Sequence, residues 1–367
     1  MGKSVTHPLT FFLRAVKIIL EFANELQMYF KKAIDPYESQ MSFSIFRTDP
    51  RKMKEKWRGE FLMKMKTLSY AAAAVLAAFV ISGCGGAPAE QKKPAADAKI
   101  PVAVSFDAMK EFTEAVGGDK VQISVIIPDG TEPHEFDPKP EDLKALSKSK
   151  VFVYSGLGME AWADKAVKAA ANDNLIAVEA SKGADGIKNT DPDEIKEHGQ
   201  YDPHIWLSLK GAELEAANIR DALVKASPEN KQYFDDNYNK FKDQLDALLK
   251  DYDGKFQSLP NKTIVTGHAA FGYFCRDFGL QQKSVEDTFA SGEPTPAKLA
   301  ELANYCKENH VKTVFTEDLV SPAVSETLAK EAGSNTKQIY TMESSEKGMT
   351  YIDRMKKNLE NVYEALK

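Results

Sequence analysis

From residue 100 onward, short apolar runs alternate with stretches in which apolar side chains recur every three or four positions. Runs at 101–105, 121–127, 151–155 and 175–180 predict strands, and helix-like spacing at 107–115, 140–147 and 161–171 separates them. Strands and helices in alternation imply a mostly parallel sheet with helices on both faces. A further helical run at 210–226 stops at Ser227-Pro228, where a capping residue precedes a proline suited to a first helical position. Phe234, Tyr238, Phe241, Leu245, Leu248, Tyr252 and Phe256 then mark one face of a helix of roughly 30 residues, or about 45 Å. Leu259-Pro260-Asn261 ends it. The alternation restarts with strands expected at 263–266, 284–286, 313–316 and 338–341 and helices at 269–278, 296–309, 324–332 and 351–366. The predicted fold is therefore α/β, with two similar lobes of mostly parallel sheet joined by one long rigid helix. The lobes fall at 100–227 and 261–367, and the linking helix at 228–260.

With 367 residues, 43% hydrophobic and 28% charged, the chain has material for two ordinary cores and is neither disordered nor fibrous in composition. Before Cys84 there are 13 Lys/Arg and 7 Asp/Glu; from Cys84 onward 35 face 47, a net charge of −12. An acidic body of this kind argues against a sequence-independent grip on nucleic acid and mildly favours collecting cations.

The amino-terminal region adds a second piece of information. Met63-Lys64-Met65-Lys66, followed by the apolar stretch 71–81, has the basic start and short core of a secretory signal, too short to persist as a membrane-spanning helix. Ile81-Ser82-Gly83-Cys84 then resembles a bacterial lipobox, in which cleavage exposes the cysteine for acylation. Residues 63–83 are accordingly expected to be a lipoprotein signal peptide, Cys84 the lipid-attachment residue, and the Gly-, Ala-, Pro- and Lys-rich 84–99 a flexible tether. Residues 1–62 do not suit that scheme. Arg58-Gly59-Glu60 can be encoded AGA-GGA-GAA, which would read as a ribosome-binding site, so translation is expected to begin at Met63 or Met65. The expected location is extracytoplasmic, anchored by lipid to a bacterial membrane.

Chemistry gathers at the strand ends. An α/β fold brings the carboxyl ends of its strands to one crevice where ligands bind. His134 closes Pro128-Asp129-Gly130-Thr131-Glu132-Pro133-His134 after the strand expected at 121–127. His204 lies in Tyr201-Asp202-Pro203-His204-Ile205-Trp206, and His268 follows the strand at 263–266 directly. Glu317 and Glu343 stand at two further strand tips. Three neutral imidazoles and one carboxylate match the donor preference and four-coordination of Zn²⁺, whereas more carboxylates and fewer histidines would suit Mn²⁺.

These segments also carry a family resemblance. Gly130-Thr131-Glu132-Pro133-His134 with Pro138-Lys139-Pro140, Asp202-Pro203-His204-Ile205-Trp206-Leu207-Ser208, and Gly267-His268 with Phe271-Gly272-Tyr273 resemble the zinc-binding components of ABC transporters in metal-binding cluster A-I, the TroA-like solute-binding proteins. The resemblance covers about residues 100–367. It implies two lobes bridged by a rigid helix, a metal held between them by His134, His204 and His268, and delivery to a membrane permease driven by a separate ATPase. Members commonly place an aspartate after the last strand, where this chain has Glu343. That residue could ligate directly, hold a water, or cap the next turn. Glu132 and Glu317 are candidates for supporting the ligands, and Glu132 also for an alternative ligand. Trp206, Phe271 and Tyr273 are expected to pack around the site. Where many zinc members carry a long His/Asp/Glu-rich loop, this chain has a shortened acidic one, Asp191, Asp193, Glu194, Glu197 and His198. His310, at a helix end, is read as structural.

Two other classes of function compete. Three histidines with an open fourth position also describe a catalytic zinc, but the sequence has neither a His-Glu-x-x-His helix nor a nucleophile elbow, so no enzymatic activity is expected. An adhesin or metal-sensing lipoprotein could use the same fold, and a manganese receptor is the rival within the family. A monomer is expected, with the permease, its ATPase and the membrane as partners. Cys275 and Cys306, both on expected helices of the second lobe, suit either a disulfide or two buried thiols.

Overall fold

The computed structural model describes residues 99–189, 195–196, 199–290, 294–319 and 321–367. Cys84, the segments expected at 1–62 and 63–83, all of the tether expected at 84–99 except its last residue, and Asp191, Asp193, Glu194, Glu197 and His198 lie outside the described residues. In the first lobe β1 (Ile100–Val104), β2 (Val121–Val125), β3 (Val151–Tyr154) and β4 (Ile176–Glu179) form one parallel sheet in the order β2-β1-β3-β4. Val102 pairs with Val151 and Ile100 with Val121. Val151, Phe152 and Val153 are all buried, as expected of a strand covered on both faces. Helices α1 (Asp107–Gly117), α2 (Lys144–Lys148) and α3 (Ala163–Ala169) connect these strands, and α4 (Leu209–Ala226) completes the layer. Ser208 caps α4 by accepting from the Gly211 N–H at 3.0 Å. Glycine is required at 211, because a Cβ there would lie 2.2 Å from the Ile205 carbonyl oxygen.

The linking helix α5 (Lys231–Gln257) has 27 residues, about 40 Å. It buries Phe234, Tyr238, Phe241, Leu245, Tyr252 and Phe256 of the stripe expected from the sequence, with Leu248 half-buried. Along it the second lobe adds β5 (Thr263–Thr266), α6 (Gly272–Phe278), β6 (Gln281–Ser284), α7 (Pro296–Glu308), β7 (Thr313–Thr316), α8 (Pro322–Ala332), β8 (Asn335–Gln338) and α9 (Tyr351–Leu366). Here the sheet differs from its counterpart. β5 pairs with β6 and β7 with β8, both in parallel, as two separate two-stranded ladders. Strands expected at 284–286 and 338–341 lie about three residues earlier than the sequence suggested. β6 (QQKS) and β8 (NTKQ) are polar and half-exposed, and the buried Val285 and Ile339 that signalled them come just after each strand ends.

One core runs through both lobes. Phe112 of α1, Phe241 of α5 and Tyr351 of α9 meet with ring centroids 4.8–6.0 Å apart, and Phe256 packs on Phe274 and Phe278 of α6. Val265, Val285, Leu302, Ala303, Cys306, Val314, Leu328 and Ala329 make a smaller, separate core in the second lobe. The disulfide considered for Cys275 and Cys306 is not formed. α6 sends Cys275 into the shared core and α7 sends Cys306 into the smaller one, so both are buried free thiols. Polar contacts also cross between lobes. The fully buried Arg354 on α9 donates to Asp107 Oδ2 at 2.6 Å and to the Ser344 carbonyl at 2.7 Å. The Trp206 indole N–H donates to the Thr341 carbonyl at 2.7 Å, and the Tyr351 hydroxyl to the Trp206 carbonyl at 2.6 Å. Among the described residues no helix is long and apolar enough to cross a membrane.

Candidate metal centre

Each of the three histidines is delivered by a different local device. After β2, the Thr131 N–H donates to the Pro128 carbonyl at 3.1 Å, and Gly130 takes φ +78°. This is a turn whose third position favours glycine. Four residues on, the His134 N–H donates to Glu132 Oε1 at 3.0 Å, which orients the backbone at the ligand position. His204 enters from a loop tied to the first lobe by the Asp202 N–H donating to the Ile187 carbonyl at 2.9 Å. Asp202 Oδ1 accepts both the His204 N–H and the Nδ1–H at 2.9 Å, and the Tyr273 hydroxyl donates to the Asp202 carbonyl at 2.6 Å. His268 follows β5, and Glu317 at the end of β7 holds it. Glu317 Oε1 accepts from the Gly267 and His268 N–H groups at 2.9 and 3.2 Å, and Oε2 pairs with His268 Nδ1. The His268 carbonyl accepts from Thr266 Oγ1 at 2.7 Å and from the Gln282 amide at 2.9 Å. Two carboxylates thus take the Nδ1 protons of His204 and His268 and turn both Nε2 lone pairs inward, the arrangement that fixes tautomer and raises basicity in metal-ligating imidazoles.

The fourth group comes from the connection after β8. Met342, buried, is held at φ +61°, a left-handed conformation costing roughly 1–3 kcal/mol for a residue with a side chain. It turns Glu343 toward the imidazoles. Thr341 Oγ1 donates to Glu343 Oε2 at 2.8 Å. Glu343 Oε1 is buried, accepts no hydrogen bond among the described residues, and lies 3.8 Å from Nε2 of both His134 and His204. One donor atom from each of His134, His204, His268 and Glu343 lies within 4.8 Å of the others.

The spacing suits a small cation. A tetrahedral Zn²⁺ with Zn–N distances of about 2.0–2.1 Å has donors separated by roughly 3.3 Å. The Nε2 atoms of His134 and His204 are 3.1 Å apart, and those of His204 and His268 3.3 Å. Charge is also disposed for a cation. Burial pushes the Glu343 carboxyl up, to about 8, with the nearby Glu132 carboxylate adding to the rise. Burial and the positive charge of His268 hold His204 well below the usual imidazole range. At His268 burial opposes protonation, but the carboxylates of Glu317, Glu343 and Glu132 outweigh it and take the imidazolium to about 10. Burial likewise raises Asp202, to about 7, against the His204 N–H that stabilises its anion. Zn²⁺ takes neutral imidazole and ionised carboxylate, so binding at these side chains would be coupled to proton release.

The four side chains that the sequence placed at strand tips meet in one crevice, and part of what supports them carries no sequence pattern. Asp202 was quoted only as part of a motif, although an aspartate two residues before a histidine is a usual Asx-type turn former that could have revealed it. Gln282 and Thr341 gave no such signal, and neither did Phe289, whose ring stands edge-on to His134 with centroids 5.3 Å apart. Glu132 turns the His134 backbone and stands outside the converging set. Trp206 lies against His204 with ring centroids 5.1 Å apart, while Phe271 belongs to the shared core. His310 is exposed at the end of α7 with φ +52°, far from this chemistry in sequence and outside the cluster.

Comparison with known proteins places the chain among metal-binding and zinc-uptake relatives. The chain is 41% identical over 275 residues to a protein of Treponema pallidum strain Nichols whose name describes it as metal-binding, covering 73% of this chain and 87% of that one. It is 33% identical over 327 residues to the high-affinity zinc uptake system protein ZnuA of Bacillus subtilis strain 168, covering 86% and 99%. A mutant structure of the laminin-binding adhesin Lmb of Streptococcus agalactiae superposes with a TM-score of 0.68 at 32% identity, covering 73% of this chain and 100% of that one. Residues 102–365, nearly the whole of both lobes, match the family described as zinc-uptake complex component A, periplasmic, and the chain belongs to that family.

Proposed function

We propose that this protein is an extracytoplasmic receptor that captures Zn²⁺ between its lobes, through His134, His204, His268 and Glu343, and hands it to an ABC permease driven by a separate ATPase. The observation that carries the reading is the convergence of inward-turned imidazole nitrogens on a buried carboxylate oxygen that has no hydrogen-bond partner among the described residues. A carboxylate stripped of water and hydrogen bonds is costly unless a cation takes their place. Three nitrogen donors against one oxygen favour zinc over manganese. Membership of a solute-binding family and the resemblance to a zinc uptake protein support a carrier over an enzyme. The lipobox-like Ile81-Ser82-Gly83-Cys84 supports a membrane-tethered receptor that stays near its permease.

Anomalous diffraction at the zinc and manganese edges, on protein purified without added metal, tests the cargo. A zinc signal bounded by the four side chains is expected, and a manganese-only signal overturns the assignment. The tautomer-fixing carboxylate gives a second test. Glu317→Gln is expected to lower zinc affinity about 10–100-fold in competition with a chromophoric chelator, and an unchanged affinity would remove Glu317 from the site. A second reading, binding of an extracellular matrix protein, is favoured by the likeness to the laminin-binding adhesin. Zinc-dependent retention on immobilised laminin would support it.

A further inference from the structure

The connection at 341–350, which carries Glu343, belongs to the second lobe in sequence but is fastened to the first. The Gly130 N–H donates to Ser344 Oγ at 2.8 Å. Asp129 receives both donors of Ser345, the N–H at Oδ1 (3.1 Å) and the hydroxyl at Oδ2 (2.6 Å). Three hydrogen bonds thus join the turn just before His134 to the two residues just after Glu343. Asp129 and Ser345 are both exposed, so this fastening adds little to either core. The Ser345 hydroxyl and N–H hold the Asp129 carboxyl below its usual range despite some burial, in keeping with an ionised acceptor.

The distances indicate what such a fastening controls. Glu343 Oε1 stands 3.8 Å from the two imidazole nitrogens, while those nitrogens are 3.1 Å from each other. The carboxylate oxygen thus stands farther from these two nitrogens than they stand from each other. Its backbone has little freedom to compensate, because Met342 is locked at φ +61° and Thr341 Oγ1 occupies the other carboxylate oxygen. How far Glu343 reaches depends on where the residues beyond it are anchored.

We propose that Asp129 is a positioning residue for the metal centre: by clasping Ser345 across the lobes it holds Glu343 over the imidazoles and slows escape of the cation. The proposal rests on the zinc-receptor reading above. Loss of the clasp leaves the connection to the contacts of Ser344 with Gly130 and Arg354, and lets the Glu343 carboxylate draw back from the imidazoles.

The test is the rate at which the zinc-loaded full chain gives up zinc to excess EDTA, measured for D129A, S345A, D129N, the double variant D129A/S345A, and D129A placed on E343Q. D129A and S345A are each expected to speed release about tenfold, as loss of charge-assisted hydrogen bonds implies. D129N, which keeps one acceptor, should fall between D129A and the unaltered protein. The double variant should release no faster than D129A, because the hydroxyl bond lost in S345A is already lost in D129A. On the E343Q background D129A should add nothing, since it acts through Glu343. Release within twofold of the unaltered protein in D129A and S345A, or an equal acceleration on E343Q, overturns the proposal; the second result would mean general loosening of the lobes. If the unaltered chain retains no zinc at all, the receptor reading fails instead.

Discussion

His268→Ala is expected to weaken zinc binding more than a hundredfold. Structural zinc sites contribute roughly 10–16 kcal/mol over four ligands, or about 3 kcal/mol for each, and every 1.4 kcal/mol is a factor of ten. The loss extends beyond one donor. Glu317 Oε2 is paired with His268 Nδ1, and the side chains of both residues are almost wholly buried. Removing the imidazole leaves Glu317 with only the two backbone N–H groups it already holds. Calorimetric titration with a competing chelator measures the loss. His310→Ala, at an exposed position outside the cluster, is the control and should bind zinc as the unaltered protein does. An affinity for H268A within fivefold of that control would show that the centre does not depend on His268.

The second large effect falls on stability. Arg354→Met is expected to cost about 3–5 kcal/mol, the usual result of removing one partner from a buried ion pair. The Asp107 side chain, 1% exposed, would keep only a 3.4 Å contact with Lys110. The Ser344 carbonyl would lose its guanidinium donor as well. Pairing the change with Asp107→Asn removes the stranded charge and should recover part of the loss. Denaturant midpoints of the two variants, at unchanged slope, give the comparison. If R354M loses less than about 1 kcal/mol, the Asp107–Arg354 bridge contributes little to holding the lobes together.

Much of this was legible before any coordinates, for identifiable reasons. The stripe from Phe234 to Phe256 has one period, one face and clear stops, and it became α5 with bounds only a few residues shorter than expected. β1 and β3 of the first lobe are apolar on both faces and announced themselves. β6 and β8 did not, because an edge strand needs only backbone pairing on one side and tolerates Gln, Lys, Asn and Thr. The histidines could be grouped because strand ends converge in this fold class, which converts distance in sequence into proximity. What lay beyond that logic was support from side chains with no pattern of their own. Gln282 reaches back from an edge strand to the His268 carbonyl, and Ser345 reaches across to Asp129. The fate of the two cysteines was equally hidden, since it depends on which of two cores each helix faces.

The junction of Phe112, Phe241 and Tyr351 gives the two lobes a common keel. A molecule stiffened along that line does not open like a book, because parting the lobes would expose aromatic surface drawn from α1, α5 and α9 together. Exchange of the cation is left to the rim, where loops end in histidines and a short polar connection bears the carboxylate. Empty and zinc-loaded forms are therefore expected to share nearly one hydrodynamic radius, which sedimentation of the two forms checks. If the radius is unchanged, a partner that tells them apart reads the rim and not the outline.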